Sequence, residues 1–214
     1  MSTEPQGARA DVAGVILAGG LARRMGGRPK ALIELDGKPL AAHALGRLAP
    51  QVGAVALNAN ADGERLAALG APVIRDTVEG FAGPLAGVLA GMLWARKAAP
   101  EARWLVSVAV DTPFFPADLA ARFIEAVTES DAQMAVAASN GRAHPVFGLW
   151  PIAMAEELQA ALVEEGLRKI DLFTARYRLV QVDFGHGRDD PFFNINRPED
   201  LQQAQRRIEA QLAP

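Results

Sequence analysis

Along the first two thirds of the chain, short runs of apolar and partly β-branched residues alternate with stretches whose apolar positions recur every third or fourth residue. The runs at 12–17, 54–57, 72–74 and 104–110 predict buried strands, because each stops abruptly at Gly, Asn, Arg-Asp or Asp. The intervening stretches 40–48, 63–69 and 85–98 predict helices. After Pro116, Leu119, Phe123 and Val127 fall on one helix face. The last third is less regular. Residues 134–138 and 146–150 predict strands joined by a Ser139-Asn140-Gly141-Arg142 turn of hairpin character. Residues 151–165 and 168–175 predict helices, 179–182 a strand, and a final helix begins at Pro198 with Leu201, Ala204 and Ile208 on one stripe.

Strand–helix alternation of this kind predicts an α/β fold of three layers, a mostly parallel sheet covered on both faces. In such sheets ligands bind beyond the carboxyl ends of the strands. Gly19-Gly20, Asn58, Asp76 and Asp111 each follow a predicted strand and are therefore expected to open onto one crevice. Residues 12–214 read as a single domain. The polar segment 1–11 reads as a disordered leader, without the apolar centre of a signal peptide.

Composition narrows the function by exclusion. A chain of 214 residues, 50% hydrophobic and 22% charged, is ordinary for a packed globular domain. With 22 Lys and Arg against 25 Asp and Glu, the net charge of −3 argues against a broad nucleic-acid or acidic-membrane surface. The absence of Cys excludes disulfides, thiolate zinc sites and cysteine nucleophiles. No stretch is apolar over the roughly 18 residues of a membrane span. A cytoplasmic enzyme or binding protein, with neither nucleic acid nor membrane as partner, is the expectation.

One segment departs from this mild acidity. Between Leu17 and Lys30 stand Arg23, Arg24, Arg28 and Lys30, no acid, and the glycines Gly19, Gly20, Gly26 and Gly27. Glycine N–H groups that approach a ligand closely, ringed by Arg and Lys, supply the dipoles and countercharge that a polyphosphate requires. The dinucleotide fingerprint is absent because Gly19 and Gly20 are adjacent, and the Walker pattern fails because Arg28-Pro29 follows Gly27. Asp111 ends the longest apolar run, where a carboxylate suits Mg²⁺ shared with substrate phosphates, although Asp-Thr-Pro also suits a turn. Lys30 is a point charge suited to triphosphate oxygens. Asn58 offers donors and an acceptor to a base edge, and Asp76 can accept two N–H bonds from guanine; both also favour turns. Gly83-Pro84 opens a helix in which Gly87 and Gly91 permit either close packing or close ligand approach. His43, His144 and His186 share no metal-ligand spacing, and His144 is not expected to act as a base. Ser107 lacks the sequence of a nucleophile elbow.

Leu17-Ala18-Gly19-Gly20, followed by Arg23-Arg24-Met25-Gly26-Gly27 and Lys30, resembles the signature loop of nucleotidyltransferases with a Rossmann-like, glycosyltransferase-A-like fold. Its two arginines and two glycines resemble the molybdenum cofactor guanylyltransferase family in particular. Gly37-Lys38-Pro39-Leu40, Asn58-Ala59-Asn60, Gly83-Pro84-Leu85-Ala86-Gly87, Asp111-Thr112-Pro113 and Asn194-Ile195-Asn196-Arg197-Pro198-Glu199-Asp200 follow in the family's order, so the similarity spans about residues 12–201. The resemblance implies Mg²⁺-dependent transfer of GMP from GTP to the terminal phosphate of molybdopterin or Mo-molybdopterin, with release of pyrophosphate. It implies GTP contacts from Leu17, Ala18, Gly19, Lys30, Asn58, Asp76 and Asp111, with Lys30 and Asp111 catalytic and the metal on Asp111. Asn194 and Asn196 are implied on the acceptor side, where a helix cap is the rival role. Transient contact with molybdoenzyme apoproteins is implied as well. Pro29 departs from the acid that often precedes the family's lysine. An ionised phosphate nucleophile needs no general base, in keeping with the absence of a convincing catalytic His. The rivals are a molybdopterin cytidylyltransferase, a sugar-phosphate nucleotidyltransferase and a non-catalytic nucleotide-binding module. Against the last stands the pairing of Asp111 with Lys30, since a binder has no need of a metal carboxylate.

Overall fold

The computed structural model describes residues 9–19, 21–22, 27–78, 80, 83–187 and 189–212. Its framework is a seven-stranded sheet of β1 (Arg9–Leu17), β2 (Val52–Asn58), β3 (Val73–Ile74), β4 (Trp104–Ala109), β5 (Met134–Ser139), β6 (Arg142–Pro151) and β7 (Leu179–Asp183). The strands lie in the order β7-β5-β6-β4-β1-β2-β3. Parallel pairing joins β1 to β2 and β4, β2 to β3, and β5 to β7, whereas β6 runs antiparallel to β4 and β5. The helices are α1 (Leu40–Leu48), α2 (Gly63–Ala67), α3 (Pro84–Ala98), α4 (Leu119–Glu129), α5 (Ala155–Val163), α6 (Ile170–Thr174) and α7 (Pro198–Leu212).

β1 shows why the sheet is covered on both sides. Successive side chains of a strand point to opposite faces. Val12 and Ile16 pack in one apolar cluster with Leu40 and Leu48 of α1, Phe123 of α4 and Ala204 of α7. Ala13 and Val15 pack in a second cluster with Leu89 of α3, Leu158 of α5 and Phe173 of α6. Three layers follow, as the alternation of elements predicts. Fully burying a Leu or Phe contributes about 1.5–3 kcal/mol, so the two clusters hold the strand ends in fixed register for the site above them.

Several boundaries differ from the sequence reading. β1 begins at Arg9, not at 12, with Arg9 paired to Val52 and its guanidinium 3.1 Å from the Asp11 carboxylate. Residues 9–11 thus belong to the sheet; the rest of the expected leader lies outside the described residues. β6 starts at Arg142 rather than at 146, directly after a two-residue turn in which Asn140 (φ 50°) and Gly141 (φ 72°) are both left-handed, the geometry that Asn-Gly hairpins adopt. Its ladder to β5 shifts register between His144 and Gly148. Pro145 has no N–H to donate there, and this break hides the first half of the strand from pattern reading. A second hairpin turn, Asp36-Gly37 with φ of 50° and 70°, joins the two-residue strands Glu34–Leu35 and Lys38–Pro39. Asp-Gly is the sequence signal of such a turn, beyond the elements expected above. No helix among the described residues is long and apolar enough to cross a membrane.

Candidate active site

β1, β2 and β4 run in one direction and end together, so the residues that follow them meet. Val110 N–H donates to Leu17 O at 3.2 Å and Ala18 N–H to Asn58 O at 2.9 Å, which carries the sheet one residue past its strands. Asp111 comes next. Opposite it arrives Lys30, brought by a tight excursion in which Leu21–Ala22 pairs antiparallel with Arg28–Pro29 and Ala31 is buried as the anchor. Lys30 Nζ donates to Asp111 Oδ2 at 2.6 Å and to Asn196 Oδ1 at 2.5 Å. Both charged side chains are largely but not wholly covered, with 17% and 15% of their surface exposed, so the pair is poorly screened yet open to a ligand.

The segment before α7 closes this end. Ile195 is fully buried and its N–H donates to Asp111 O at 2.8 Å, which fixes Asn194 and Asn196 on either side of it. Thr112 Oγ donates to Asn194 Oδ1. The cap of α7 is made instead by Asp200, whose Oδ2 accepts Asn196 N–H at 2.8 Å and Arg197 N–H at 2.9 Å. Both asparagine side chains are therefore turned to the Asp111 end of the crevice, and the rival reading of them as helix caps is displaced.

A second constellation stands at the ends of β2 and β3. Asn58 Nδ2 donates to Asp76 Oδ1 at 2.9 Å and Asn60 Nδ2 to Asp76 Oδ2 at 2.8 Å, while Asp76 N–H returns a bond to Asn60 Oδ1 at 3.0 Å. The carboxylate is thereby held flat with one acceptor site used on each oxygen. Further lone pairs remain for donors of a ligand. Behind it, a Cβ at Gly87 would lie 2.4 Å from Asn58 Oδ1 and 2.7 Å from Leu17 Cδ2, and one at Gly91 2.9 Å from Val15 Cβ. The two glycines of α3 are thus required by helix–sheet packing, not by close approach of a ligand.

A cavity of about 630 Å³ joins these groups. That volume lies within the usual range of small-molecule sites. Leu17, Gly19, Lys30, Asn58, Asp76, Asp111 and Asn194 of the sequence expectations line it. Ala18 does not. Its methyl is buried and its N–H is engaged with Asn58 O, so only its carbonyl is left for a ligand among the described residues. Gly20, Arg23, Arg24, Met25 and Gly26 lie outside the described residues, as does the side chain of Arg28. Sequence reasoning missed Asn60, which shares the Asn-Ala-Asn motif with Asn58, and Arg142, His144 and Phe147 of β6, which line the cavity. Arg142 and His144 stand two apart on one strand, and that spacing was the available signal. The uncapped start of α3 also lines it through Gly83 and Pro84, an end of positive dipole that favours anions.

No group of three or more His, Cys, Asp or Glu that could hold a metal ion occurs among the described residues. The donor set nevertheless fits Mg²⁺ bound in the way it is bound with nucleotides. One carboxylate, Asp111, lines the cavity with Asn194; Asn196 Oδ1 shares the Lys30 ammonium with it, and substrate phosphates and waters would supply the remaining oxygens. In the ligand-free protein the Asp111 carboxylate is neutralised by Lys30 instead.

The fold is that of a nucleotidyltransferase, and sequence comparison gives the same class. The MobA-like NTP transferase domain profile matches residues 14–177, and the chain belongs to that family. Among its relatives, a molybdenum cofactor guanylyltransferase of Bradyrhizobium sp. is 51% identical over 195 residues, 91% of this chain and 92% of the relative. One from Mesorhizobium japonicum is 45% identical over 94% of this chain and 98% of the relative. Among solved structures, molybdopterin-guanine dinucleotide biosynthesis protein A from Archaeoglobus fulgidus superposes with a TM-score of 0.73 at 24% identity, covering 92% and 99% of the two chains. CMP:2-keto-3-deoxy-manno-octonic acid synthetase complexed with CTP superposes at 0.70 with 14% identity, covering 94% and 100%. These two establish the fold.

Proposed function

We propose that this chain transfers GMP from GTP to the terminal phosphate of molybdopterin or its molybdenum form, releasing pyrophosphate and forming the guanine dinucleotide cofactor. The observation that carries the reading is the convergence on one cavity of Lys30, Asp111 and Asn194 at one end and the Asn58–Asp76–Asn60 clamp at another. Relatives about half identical over nine tenths of the chain bear the matching name.

In this reading Asp76 accepts N–H groups of the guanine edge on the lone pairs that Asn58 and Asn60 leave free; a cytosine ring, with acceptors on much of that edge, would meet repulsion. Leu17, Gly19 and the Ala18 carbonyl border the nucleoside, and Lys30 takes phosphate oxygens. An acceptor phosphate oxygen attacks the α-phosphorus of GTP. The new P–O bond forms as the bond between the α-phosphorus and the bridging oxygen breaks, and the electron pair leaves with pyrophosphate. The attacking oxygen is already ionised, so alignment and charge neutralisation supply the catalysis. Asp111 would hold Mg²⁺, with Asn194 and Asn196 assisting from the acceptor side; the metal would supply charge neutralisation on the phosphates. Lys30, bonded to Asp111 in the ligand-free protein, would turn to the triphosphate oxygens, leaving the Asp111 carboxylate as the residue that would hold the metal. The reading extends to a cytoplasmic enzyme that passes its product to molybdoenzyme apoproteins by transient contact.

The test is pyrophosphate release from GTP by the purified protein, measured with and without molybdopterin and Mg²⁺. Release that requires both, and that Asp111→Asn abolishes, supports the reading. Release that ignores the pterin overturns it.

A further inference from the structure

A hydrogen-bonded chain in the β6 wall of the crevice takes no part in nucleotide binding as proposed above. Asp190 Oδ1 accepts the Ser139 hydroxyl at 2.7 Å and Phe192 N–H at 2.9 Å. Ser139 is fully buried, and its oxygen lies 2.8 Å from His144 Nε2. Burial alone would raise the Asp190 pKa, but the Phe192 N–H and the Ser139 hydroxyl outweigh it and keep the carboxyl below its ordinary value. Asp190 is therefore ionised and can only accept. The single hydroxyl proton of Ser139 goes to Asp190, so its oxygen must accept from His144, and Nε2 of His144 carries the hydrogen. Burial also pushes the His144 pKa below its ordinary value, with Asp190 opposing and Arg142 reinforcing the shift, which favours the neutral ring. Nδ1 is then a bare lone pair.

The ring is also fixed in place. It stacks on Phe192 with centroids 4.5 Å apart and planes 26° off parallel, and it sits where β6 departs from the β5 ladder. His144 lines the same cavity as Lys30 and Asp111. Its flank is set by sheet order. β4, which delivers Asp111, lies between β6 on one side and β1, β2 and β3 on the other. The nucleotide groups Leu17, Asn58 and Asp76 belong to the second side, so His144 stands on the side left to the other substrate.

We propose that the Asp190–Ser139–His144 chain locks one tautomer of His144, whose Nδ1 accepts a hydrogen bond from an N–H or O–H donor of the substrate that receives the nucleotide. His144 is in this view a specificity-determining residue for the acceptor. The ligand side of the proposal rests on the nucleotidyl-transfer reading, whereas the tautomer does not.

Two measurements test it. In ligand-free protein labelled with ¹⁵N-histidine, two-bond proton–nitrogen spectra at pH 7 should show His144 with hydrogen on Nε2 and none on Nδ1, and Ser139→Ala should mix the tautomers. Hydrogen on Nδ1, or a charged ring, overturns the proposal. In steady-state assays His144→Phe should raise the KM for molybdopterin about tenfold, the ratio expected when one donor is left unpaired, with the KM for GTP unchanged. His144→Asn keeps an acceptor oxygen near the Nδ1 position and should recover most of that loss. Equal losses in both variants, or a rise confined to the KM for GTP, overturn it. A wild-type protein that makes no pterin dinucleotide defeats the functional reading instead, and the nitrogen spectrum still decides the tautomer.

Discussion

Gly87→Ala places a single methyl against the two side chains on which nucleotide binding is argued to rest. The added Cβ would stand 2.4 Å from Asn58 Oδ1, 3.0 Å from Asn58 Cγ and 2.7 Å from Leu17 Cδ2. Asn58 has little room to retreat, because it is buried and its amide is bonded to Asp76, whereas half-buried Leu17 can give way towards the cavity. Overpacking of this kind costs about 1–3 kcal/mol, against which alanine in a helix interior gains about 1 kcal/mol over glycine. The expected net is about 1 kcal/mol of destabilisation in urea unfolding. Gly46→Ala in α1 is the control, since its Cβ meets nothing within 4 Å. It should stabilise by about 1 kcal/mol and raise Tm by about 2–4 °C. Displacing Asn58 also disturbs the Asp76 carboxylate, so Gly87→Ala should weaken binding of a non-hydrolysable GTP analogue about tenfold by calorimetry, equivalent to 1.4 kcal/mol. A Gly87→Ala protein as stable as Gly46→Ala, with wild-type GTP affinity, would refute the packing argument and the role of Asn58 together.

The remaining expectations follow from the same contacts. Lys30→Ala should lose on the order of 3 kcal/mol of transition-state stabilisation, roughly two orders of magnitude in kcat/KM, by analogy with removal of one preorganised donor. Full activity with unchanged GTP affinity would contradict it. Asp111→Ala should abolish Mg²⁺-dependent turnover while circular dichroism stays native; unfolding would make Asp111 a structural residue. Ser107 accepts the buried Trp150 indole N–H at 2.8 Å and donates to Val146 O at 2.6 Å, so Ser107→Ala strands both groups and should cost about 2 kcal/mol in urea unfolding. The Arg96 guanidinium grips the Glu156 carboxylate and lowers its pKa from 4.5 to about 2. A depressed acid stabilises the fold above its unfolded value, and the contribution drains away as pH falls from 4.5 towards about 2. Glu156→Gln should flatten the pH dependence of the urea midpoint in that window, and an unaltered slope would count against the pair.

Local signals are legible where local forces decide structure. The helix at 40–48 matches its expected bounds at both ends because Pro39 precedes it and its apolar stripe is buried throughout. The strand ends at Leu17, Asn58 and Ala109 fall within one residue of the expected 17, 57 and 110, because glycine or a polar residue follows shortly after each buried run. Asp111, Asn58 and Asp76 could therefore be brought to one crevice from topology. The clamp that Asn60 adds was not visible, since Asn60 meets Asp76 across two different loops. Nor was the contact between Lys30 and Asn196, 166 positions apart, which motif order could suggest and only tertiary packing could make. Arg142 and His144 were lost for a backbone reason: Pro145 interrupts the ladder and disguises a ten-residue strand as a shorter one. Their contribution to the cavity depends on that irregularity, which no periodicity reports.

The most direct test of the central claim is a competition between bases. The purified protein receives molybdopterin, molybdate, Mg²⁺ and equal GTP and CTP, and the pterin products are identified by mass beside an active control. The account predicts the guanine dinucleotide, because guanine presents two adjacent N–H groups, N1–H and the N2 amino group, to the paired Asp76 oxygens, whereas cytosine presents only its N4 amino group beside acceptors. A cytosine dinucleotide, or no dinucleotide while the control turns over, would contradict it.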